Sequence, residues 1–300
     1  MAGVGDAVFR RICREFGADI SVSEMISADG LYYMSAKTKK MMTLQEWDKP
    51  GGVQIFGSDP DKMAKAAREI CQEVNPDFID INSGCPVNKV AAKNGGAALL
   101  KNPVLFAEIT QKIVKASSVP VFVKIRAGWD SNNFIEKEFG KIAQDSGISA
   151  IAIHARTKVM GYSGNAIWER IKILKESVKI PVIGNGDIFC GKDALEIYEQ
   201  TGCDAIMIGR AALGNPFVFN EIKQYLNGKK PSEITIKDKI SAAKKHLRYF
   251  EEFYGSNAHL GEMKKHLSWY IKGFENCSQI RAEIVKCKTA DDARHVFEIF

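Results

Sequence analysis

The sequence has no pair of cysteines at C-x-x-C spacing. Its seven cysteines (Cys13, Cys71, Cys85, Cys190, Cys203, Cys277 and Cys287) are odd in number and scattered through apolar or helix-like contexts. That excludes a zinc knuckle, a dithiol redox motif and a fully paired disulfide framework, so no metal is expected and a reducing cytoplasm is the natural compartment. No apolar run approaches the roughly 18–20 residues that span a bilayer, and no basic segment followed by an apolar stretch opens the chain. Neither membrane insertion nor secretion is expected. A large excess of one charge is also missing: 42 Lys+Arg stand against 36 Asp+Glu, and a net +6 is too small to diagnose a nucleic-acid partner. Histidine is scarce, with five residues of which only His154 precedes residue 228.

With 45% hydrophobic and 26% charged residues among 300, the chain has material for a sizeable core, which excludes disorder and collagen-like structure. The charge is unevenly placed. From Gly228 to Phe300 there are 14 basic and 10 acidic residues, so this last quarter holds +4 of the +6.

Seven short β-branched runs recur before that tail: Ile20–Ile26, Val53–Phe56, Phe78–Asn82, Val119–Arg126, Ala150–Ala155, Pro181–Asn185 and Ala205–Ile208. Each is mostly apolar on both faces, as a parallel strand covered on both sides requires. Helical segments lie between them. Asp59-Pro60 opens one over Lys62–Val74, Asn102-Pro103 opens another over Val104–Ala116, and the segment Gly191–Gln200 ends at Gly202, a C-terminal cap glycine. Strand alternating with helix implies βα units around a parallel sheet, and the number of units predicts an α/β fold of the (β/α)8 TIM-barrel type. The helix Asp6–Phe16 precedes the first visible strand, so an eight-stranded barrel would begin one strand late and an upstream strand is expected. Residues 1–228 are assigned to the barrel. After the hydrophilic break at Gly228–Pro231, three helical stretches (Ile236–Tyr254, Leu260–Phe274 and Gln279–Phe300) predict a small all-α domain over residues 229–300.

The catalytic face of such a barrel lies at the C-terminal ends of its strands. Those ends carry Glu24, Gln54, Asn82 with Cys85, Lys124 with Arg126, His154 with Arg156, Asn185 with Asp187, and Arg210. Strand termini meet solvent and are often polar, but an Asn, Cys, Lys and His in series, each embedded at the end of an apolar strand, is a stronger pattern. The segments Ile183–Ile188 and Ile208–Pro216 are glycine-bearing loops at the position where barrels commonly hold a phosphate. Tight-turn punctuation is the other reading of those glycines. Neither segment fits a Walker loop or a dinucleotide fingerprint.

Met1-Ala-Gly-Val-Gly-Asp6 with Phe9-Arg10, Asp80-Ile-Asn-Ser-Gly-Cys-Pro86, Val123-Lys-Ile-Arg126, His154-Ala-Arg-Thr157 with Gly161-Tyr-Ser-Gly164, Gly184-Asn-Gly-Asp187 and Gly209-Arg210 occur in order along the chain. Together they resemble the flavin-dependent tRNA-dihydrouridine synthases, nearest the bacterial type B subgroup, and His266-x-x-x-Tyr270-x-x-Gly273 extends the likeness into the tail. The resemblance implies FMN-dependent reduction of the C5–C6 double bond of a D-loop uridine in tRNA, with NADPH or NADH as reductant. On this likeness Cys85 is the proton donor to C5. Met1, Ala2, Gln54, Lys124, His154, Asn185, Gly186, Asp187, Gly209 and Arg210 would bind the cofactor, the last five gripping its phosphate. Asn82 and Arg156 would orient the base or a phosphate. Lys264, Lys265 and Arg281 would meet tRNA phosphates on the helical tail.

Some readings stay open at this level. His154 as a satisfied core histidine is one alternative, and Tyr249, Tyr254, Trp269 and Tyr270 either stack on bases or fill the core of the tail, the latter being favoured for any one of them. A small-molecule pyrimidine reductase or dihydroorotate-type dehydrogenase would share barrel and FMN but has no use for a basic tail. An RNA-binding protein on a disabled barrel is the non-enzymatic alternative. A monomer is expected by family likeness.

Overall fold

The computed structural model describes residues 1–92 and 94–299. Its barrel portion runs α1 (Ala7–Glu15), β1 (Ser21–Ser27), the short α2 (Ala28–Tyr32) and α3 (Ala36–Met41), β2 (Gly51–Phe56), α4 (Pro60–Glu73), β3 (Phe78–Ser83), the single turn α5 (Asn88–Ala91), α6 (Pro103–Ala116), β4 (Val121–Gly128), α7 (Glu136–Asp145), β5 (Ala150–Thr157), α8 (Glu169–Ser177), β6 (Val182–Asn185), α9 (Gly191–Thr201), β7 (Ala205–Met207) and α10 (Val218–Leu226). The tail adds α11 (Ile236–Tyr254), α12 (Met263–Tyr270), α13 (Cys277–Lys286) and α14 (Ala290–Ile299).

The seven strands form one all-parallel sheet in chain order, β1 to β7. Every βα unit therefore steps to the next position without crossing, which is the winding of a TIM-type barrel. Strands β2, β3 and β5 are buried along nearly all of their length because helices cover one face and the barrel interior the other. Ile55, Ile79, Ile81, Ile151 and Ile153 are all fully enclosed. Between β7 and β1 the described residues are joined by helix contacts instead of strand pairing. Phe16 meets Phe217 edge-on at 4.8 Å, and Lys223 pairs with Asp19 at 2.5 Å.

Helix starts follow local chemistry. The Asp6 carboxylate accepts from Phe9 N–H, Asp59 from Asp61 and Lys62 N–H ahead of Pro60, and Asn102 from Leu105 N–H ahead of Pro103. In the tail, one helix expected over residues 279–300 is instead two. Thr289 and Asp292 form a reciprocal cap, Thr289 Oγ1 accepting from Asp292 N–H and Asp292 Oδ2 accepting from Thr289 N–H, and this starts α14 afresh. The expected end of that stretch, Phe300, lies outside the described residues. The helix expected over 260–274 is confined to α12.

The tail packs closely on the barrel. Phe9 of α1 lies 4.9 Å from His266 and 6.2 Å from His246, and Arg11 sits 3.6 Å over the Tyr249 ring. At the other end, Gly214 has φ +64° and a Cβ there would fall 2.3 Å from the Trp269 carbonyl carbon, so only glycine permits this backbone-to-backbone approach. Tyr249 and Tyr270 are buried in this core, whereas Tyr254 is partly exposed and its hydroxyl donates to Asp6 at 3.1 Å.

Candidate active site

Strand register brings the polar strand ends into rows. Residues paired across a parallel ladder point to one face, and so do residues two apart on a strand. Gln54 is paired with Asp80, Asn82 with Lys124, and Arg126 with His154, which is paired in turn with Asn185. The carboxyl ends of β2 to β6 thus build one polar floor.

Cys85 sits on the loop after β3, partly accessible. Asn82 Oδ1 accepts both the Cys85 N–H (2.9 Å) and the Gly84 N–H (3.2 Å), which turns the chain sharply at the end of the strand. The Cys85 carbonyl accepts from Ala97 N–H at 3.0 Å. Gly96, at φ +59°, is packed so closely that a Cβ would lie 2.9 Å from that carbonyl oxygen and 3.1 Å from Cys85 Cβ. Arg126 holds the loop from below: its Nε donates to Gly84 O, and its Nη1 to Thr157 O and Gly161 O, each at 2.9 Å. The loops after β3 and β5 are thereby fixed to each other.

Lys124 is half-buried on β4, and its Nζ donates to Asn185 Oδ1 at 3.0 Å. Asn185 in turn donates to Met207 O at 2.7 Å. Burial, helped by the nearby Arg126 charge and opposed by Asp80, lowers the Lys124 ammonium to about 8. His154 is held far below its ordinary value by burial and by the charges of Lys124, Arg126, Arg156 and Arg210. Its ring is therefore neutral at pH 7. Since Nε2 faces an Arg156 N–H at 3.4 Å, that nitrogen is assigned as the acceptor and Nδ1 carries the proton.

Arg156 is 2% exposed, and all five of its N–H groups are engaged. It grips Asp187 with two bonds of 2.9 and 2.6 Å, and donates to Ser163 O (3.2 Å), Gly164 O (2.5 Å) and the His154 ring. No N–H remains for the phosphate or base that the sequence reading assigned to it. Asp187 also accepts from Ala166 N–H at 2.8 Å and from Arg210 at 2.9 Å. Burial pushes its carboxyl up, but the Arg156 and Ala166 hydrogen bonds and the two guanidinium charges outweigh that and hold it below the usual range. Asp187 has φ +54° and Gly186 φ +127°. A Cβ on Gly186 would lie 2.9 Å from Ala166 Cβ and 3.0 Å from His154 Cδ2.

Arg210 is partly exposed, and its guanidinium sits 4.9 Å from the Tyr162 ring. A Cβ on Gly209 would meet only Met1 Sδ, at 4.0 Å, so Met1 and the β7 loop face each other across an open space. Ala2 is exposed in a turn that Glu24 holds by accepting Gly3 N–H at 2.5 Å. On the tail, Lys264 donates to Val285 O (2.8 Å) and Lys265 pairs with Glu262 (2.5 Å), whereas Arg281 is exposed and has no ion pair among the described residues. Asp80 was not singled out from sequence, yet it anchors Gln54 from inside β3. Its placement two residues before Asn82 was the available signal. Among the described residues no group of three His, Cys, Asp or Glu side chains could hold a metal, and no helix is long and apolar enough to cross a membrane.

A family model described as dihydrouridine synthase (Dus) matches residues 1–299. The chain is similar to tRNA-dihydrouridine synthase B of Vibrio parahaemolyticus, with 42% identity over 282 residues, 94% of this chain and 87% of that protein. Its counterpart in Pseudomonas aeruginosa is 40% identical over 292 residues, 97% of this chain and 88% of that protein. A probable tRNA-dihydrouridine synthase 1 of Synechocystis sp. is 35% identical over 300 residues, 99% of this chain and 84% of that protein.

Proposed function

The chain belongs to the dihydrouridine synthase family, and from that premise we propose that it reduces the C5–C6 double bond of a D-loop uridine in tRNA with Cys85 as the proton donor. The observation that supports this best is the Cys85 loop, anchored through Asn82 at the mouth of a parallel barrel beside the Lys124–His154 floor.

The residues fit a flavin, which we take to be FMN. The Gly186–Asp187 turn is a cradle that a side chain on Gly186 would fill, and the Gly209 backbone faces open space next to the partly exposed Arg210 guanidinium. Asn185, Gly186, Asp187, Gly209 and Arg210 would hold the phosphate, Lys124, His154 and Gln54 the ring, and Met1 and Ala2 the edge nearest β7. Those residues would hold a flavin whose chemistry is hydride donation to C6, with NADPH as the external reductant.

The chain's own residues supply the rest. The Lys124 ammonium offers positive charge in a site of low dielectric. Neutral His154 offers one N–H without adding a further charge. Arg156 acts as a positioning residue that fixes Asp187, and Asp187 leaves Arg210 oriented toward a phosphate. Cys85 gives its thiol proton to C5, and Gly96, packed against the Cys85 carbonyl and Cβ, keeps that loop close. The uridine leaves its stack to reach the thiol.

Residues 229–300 form the tRNA-binding part, with exposed Lys237, Lys272 and Arg281 neutralising phosphates. Lys264 serves the packing of α13 instead. Because His246 of α11 and His266 of α12 pack on Phe9 of α1, this part is tested by surface substitutions and not by removal. We place the enzyme in the cytoplasm, acting as a monomer. The test of the catalytic assignment is Cys85→Ala: it should retain bound flavin and NADPH oxidation but lose most dihydrouridine formation. Full activity in that variant would sink the assignment.

A further inference from the structure

Asp80 is a buried carboxylate whose hydrogen-bond partner in the site is Gln54. It lies inside β3, 3% exposed, and touches neither the Cys85 loop nor the phosphate cradle. It is nevertheless the inner end of a continuous chain of hydrogen bonds. Gln54 Nε2 donates to Asp80 Oδ2 at 2.5 Å, Asn82 Nδ2 donates to Gln54 Oε1 at 2.8 Å, and the Gly84 and Cys85 N–H groups donate to Asn82 Oδ1 at 3.2 and 2.9 Å. The second Asn82 N–H points to Met25 Sδ at 3.0 Å.

The two ends of this chain are chemically one-way. An ionised carboxylate only accepts, and a backbone N–H only donates. Between them stand two amides that can each be turned end for end. Only one orientation of both amides satisfies every member: Gln54 turns its NH2 inward and its carbonyl toward Asn82, and Asn82 turns its carbonyl toward the Cys85 loop. Reversing either amide sets N–H against N–H or carbonyl against carbonyl in a buried place, where an unmet polar group is costly.

We propose that Asp80 is a positioning residue that fixes, through the amides of Gln54 and Asn82, the geometry of the Cys85 loop and the face that Gln54 presents to the site. The proposal rests on the reading of Cys85 as the proton donor and adds the group that places it. Register supports it independently, since Gln54 is the ladder partner of Asp80 and Asn82 follows Asp80 by two residues, so all three point to the same face of the sheet. Burial raises the Asp80 carboxyl to about 6 against the Gln54 hydrogen bond and the Lys124 charge, which leaves it mainly ionised and acceptor-only at pH 7.5. Lys124, from β4, is the charged group that faces it, and from β2 it meets the uncharged Gln54.

The experiment uses the flavin-loaded full chain and four variants: Asp80→Ala, Asp80→Asn, Gln54→Ala and the double Asp80→Ala/Gln54→Ala. The rate of iodoacetamide labelling at Cys85 is followed at pH 7.5 by peptide mass spectrometry, with Cys71 and Cys277 as internal controls, alongside single-turnover reduction of tRNA. Asp80→Ala should speed labelling at Cys85 about fivefold, the factor one hydrogen bond of ordinary net strength supplies. Cys71 and Cys277 should not change. Single-turnover reduction should fall by up to about 100-fold, as displacement of a reacting group by about an ångström does.

Asp80→Asn can still offer its carbonyl to Gln54 and should stay within about threefold of the parent in both readouts. The double variant should match the worse single variant, because both cut the same relay. Unchanged Cys85 labelling in Asp80→Ala, or effects of the two single variants that multiply in the double, would overturn the proposal. Labelling that rises equally at all three cysteines would also overturn it, since that is general loosening. The labelling result stands apart from the proton-donor reading, which fails separately if Cys85→Ala keeps its activity.

Discussion

Replacing Asp187 by Asn is the sharpest perturbation of the Gly186–Asp187 turn. The backbone contributes little to the outcome, because Asn tolerates the φ of +54° found at this position as well as Asp does. What changes is charge. Arg156 is 2% exposed, and its countercharge is the Asp187 carboxylate, which is one-fifth exposed. Removing one partner of a buried ion pair costs about 3–5 kcal/mol, because the other charge stays buried without compensation. The partial exposure of Asp187 and the carbonyl that Asn retains both pull toward the low end, about 3 kcal/mol. For a chain of this size that corresponds to a Tm lowered by roughly 5 °C in thermal unfolding at pH 7. The pH dependence has a definite sign. The folded-state pKa of Asp187 is lowered, so its contribution is complete above the unfolded value near 3.8 and is lost only as pH falls through the still lower folded value. The gap between parent and variant should therefore be constant from pH 5 to 8 and close only in strong acid. A variant within about 1 °C of the parent at pH 7 would refute the view that Asp187 compensates Arg156.

Three further outcomes follow from the same geometry. Gly186→Ala should weaken flavin retention on gel filtration by at least tenfold, because the added carbon must displace Ala166 or the His154 ring and adopt φ +127°. Lys124→Met should raise Tm at pH 7 while weakening flavin binding. The parent's stability should also climb between about pH 8 and 10.5, where the unfolded chain still holds the Lys124 proton, and the variant should lack that rise. Lys272→Glu with Arg281→Glu should raise KM for tRNA and flatten its salt dependence without touching NADPH oxidation, as the loss of two phosphate contacts requires.

Much of the fold was legible because its signals are local. The β-branched runs mark β1 to β7, and Asp59-Pro60 and Asn102-Pro103 mark the starts of α4 and α6, since a cap and the proline behind it act within one turn. The tail is less legible for an equally local reason: its apolar pattern runs on through residues 279–300 as one helix, while the Thr289–Asp292 cap divides the stretch into two. The polar strand ends could be listed from sequence but not paired. That Asp187 would come opposite Arg156, 31 positions away, depends on the register of β5 against β6 and on a left-handed turn at residue 187. Arg156 therefore read as a phosphate contact when its donors are all engaged within the protein. Lys264 read as a surface cation for the same kind of reason, its acceptor Val285 O being supplied by a different helix.

In the proposed reaction this barrel passes reducing equivalents from a nicotinamide nucleotide through a bound flavin to a uridine of tRNA. Purified protein, reduced anaerobically with NADPH until its flavin absorbance is bleached, should regain that absorbance on addition of tRNA lacking dihydrouridine, with one dihydrouridine formed per flavin reoxidised. Free uridine or uracil should not restore it at the same concentration. A flavin that stays bleached with tRNA but is reoxidised by the free base, or a protein that binds no flavin, would contradict the account.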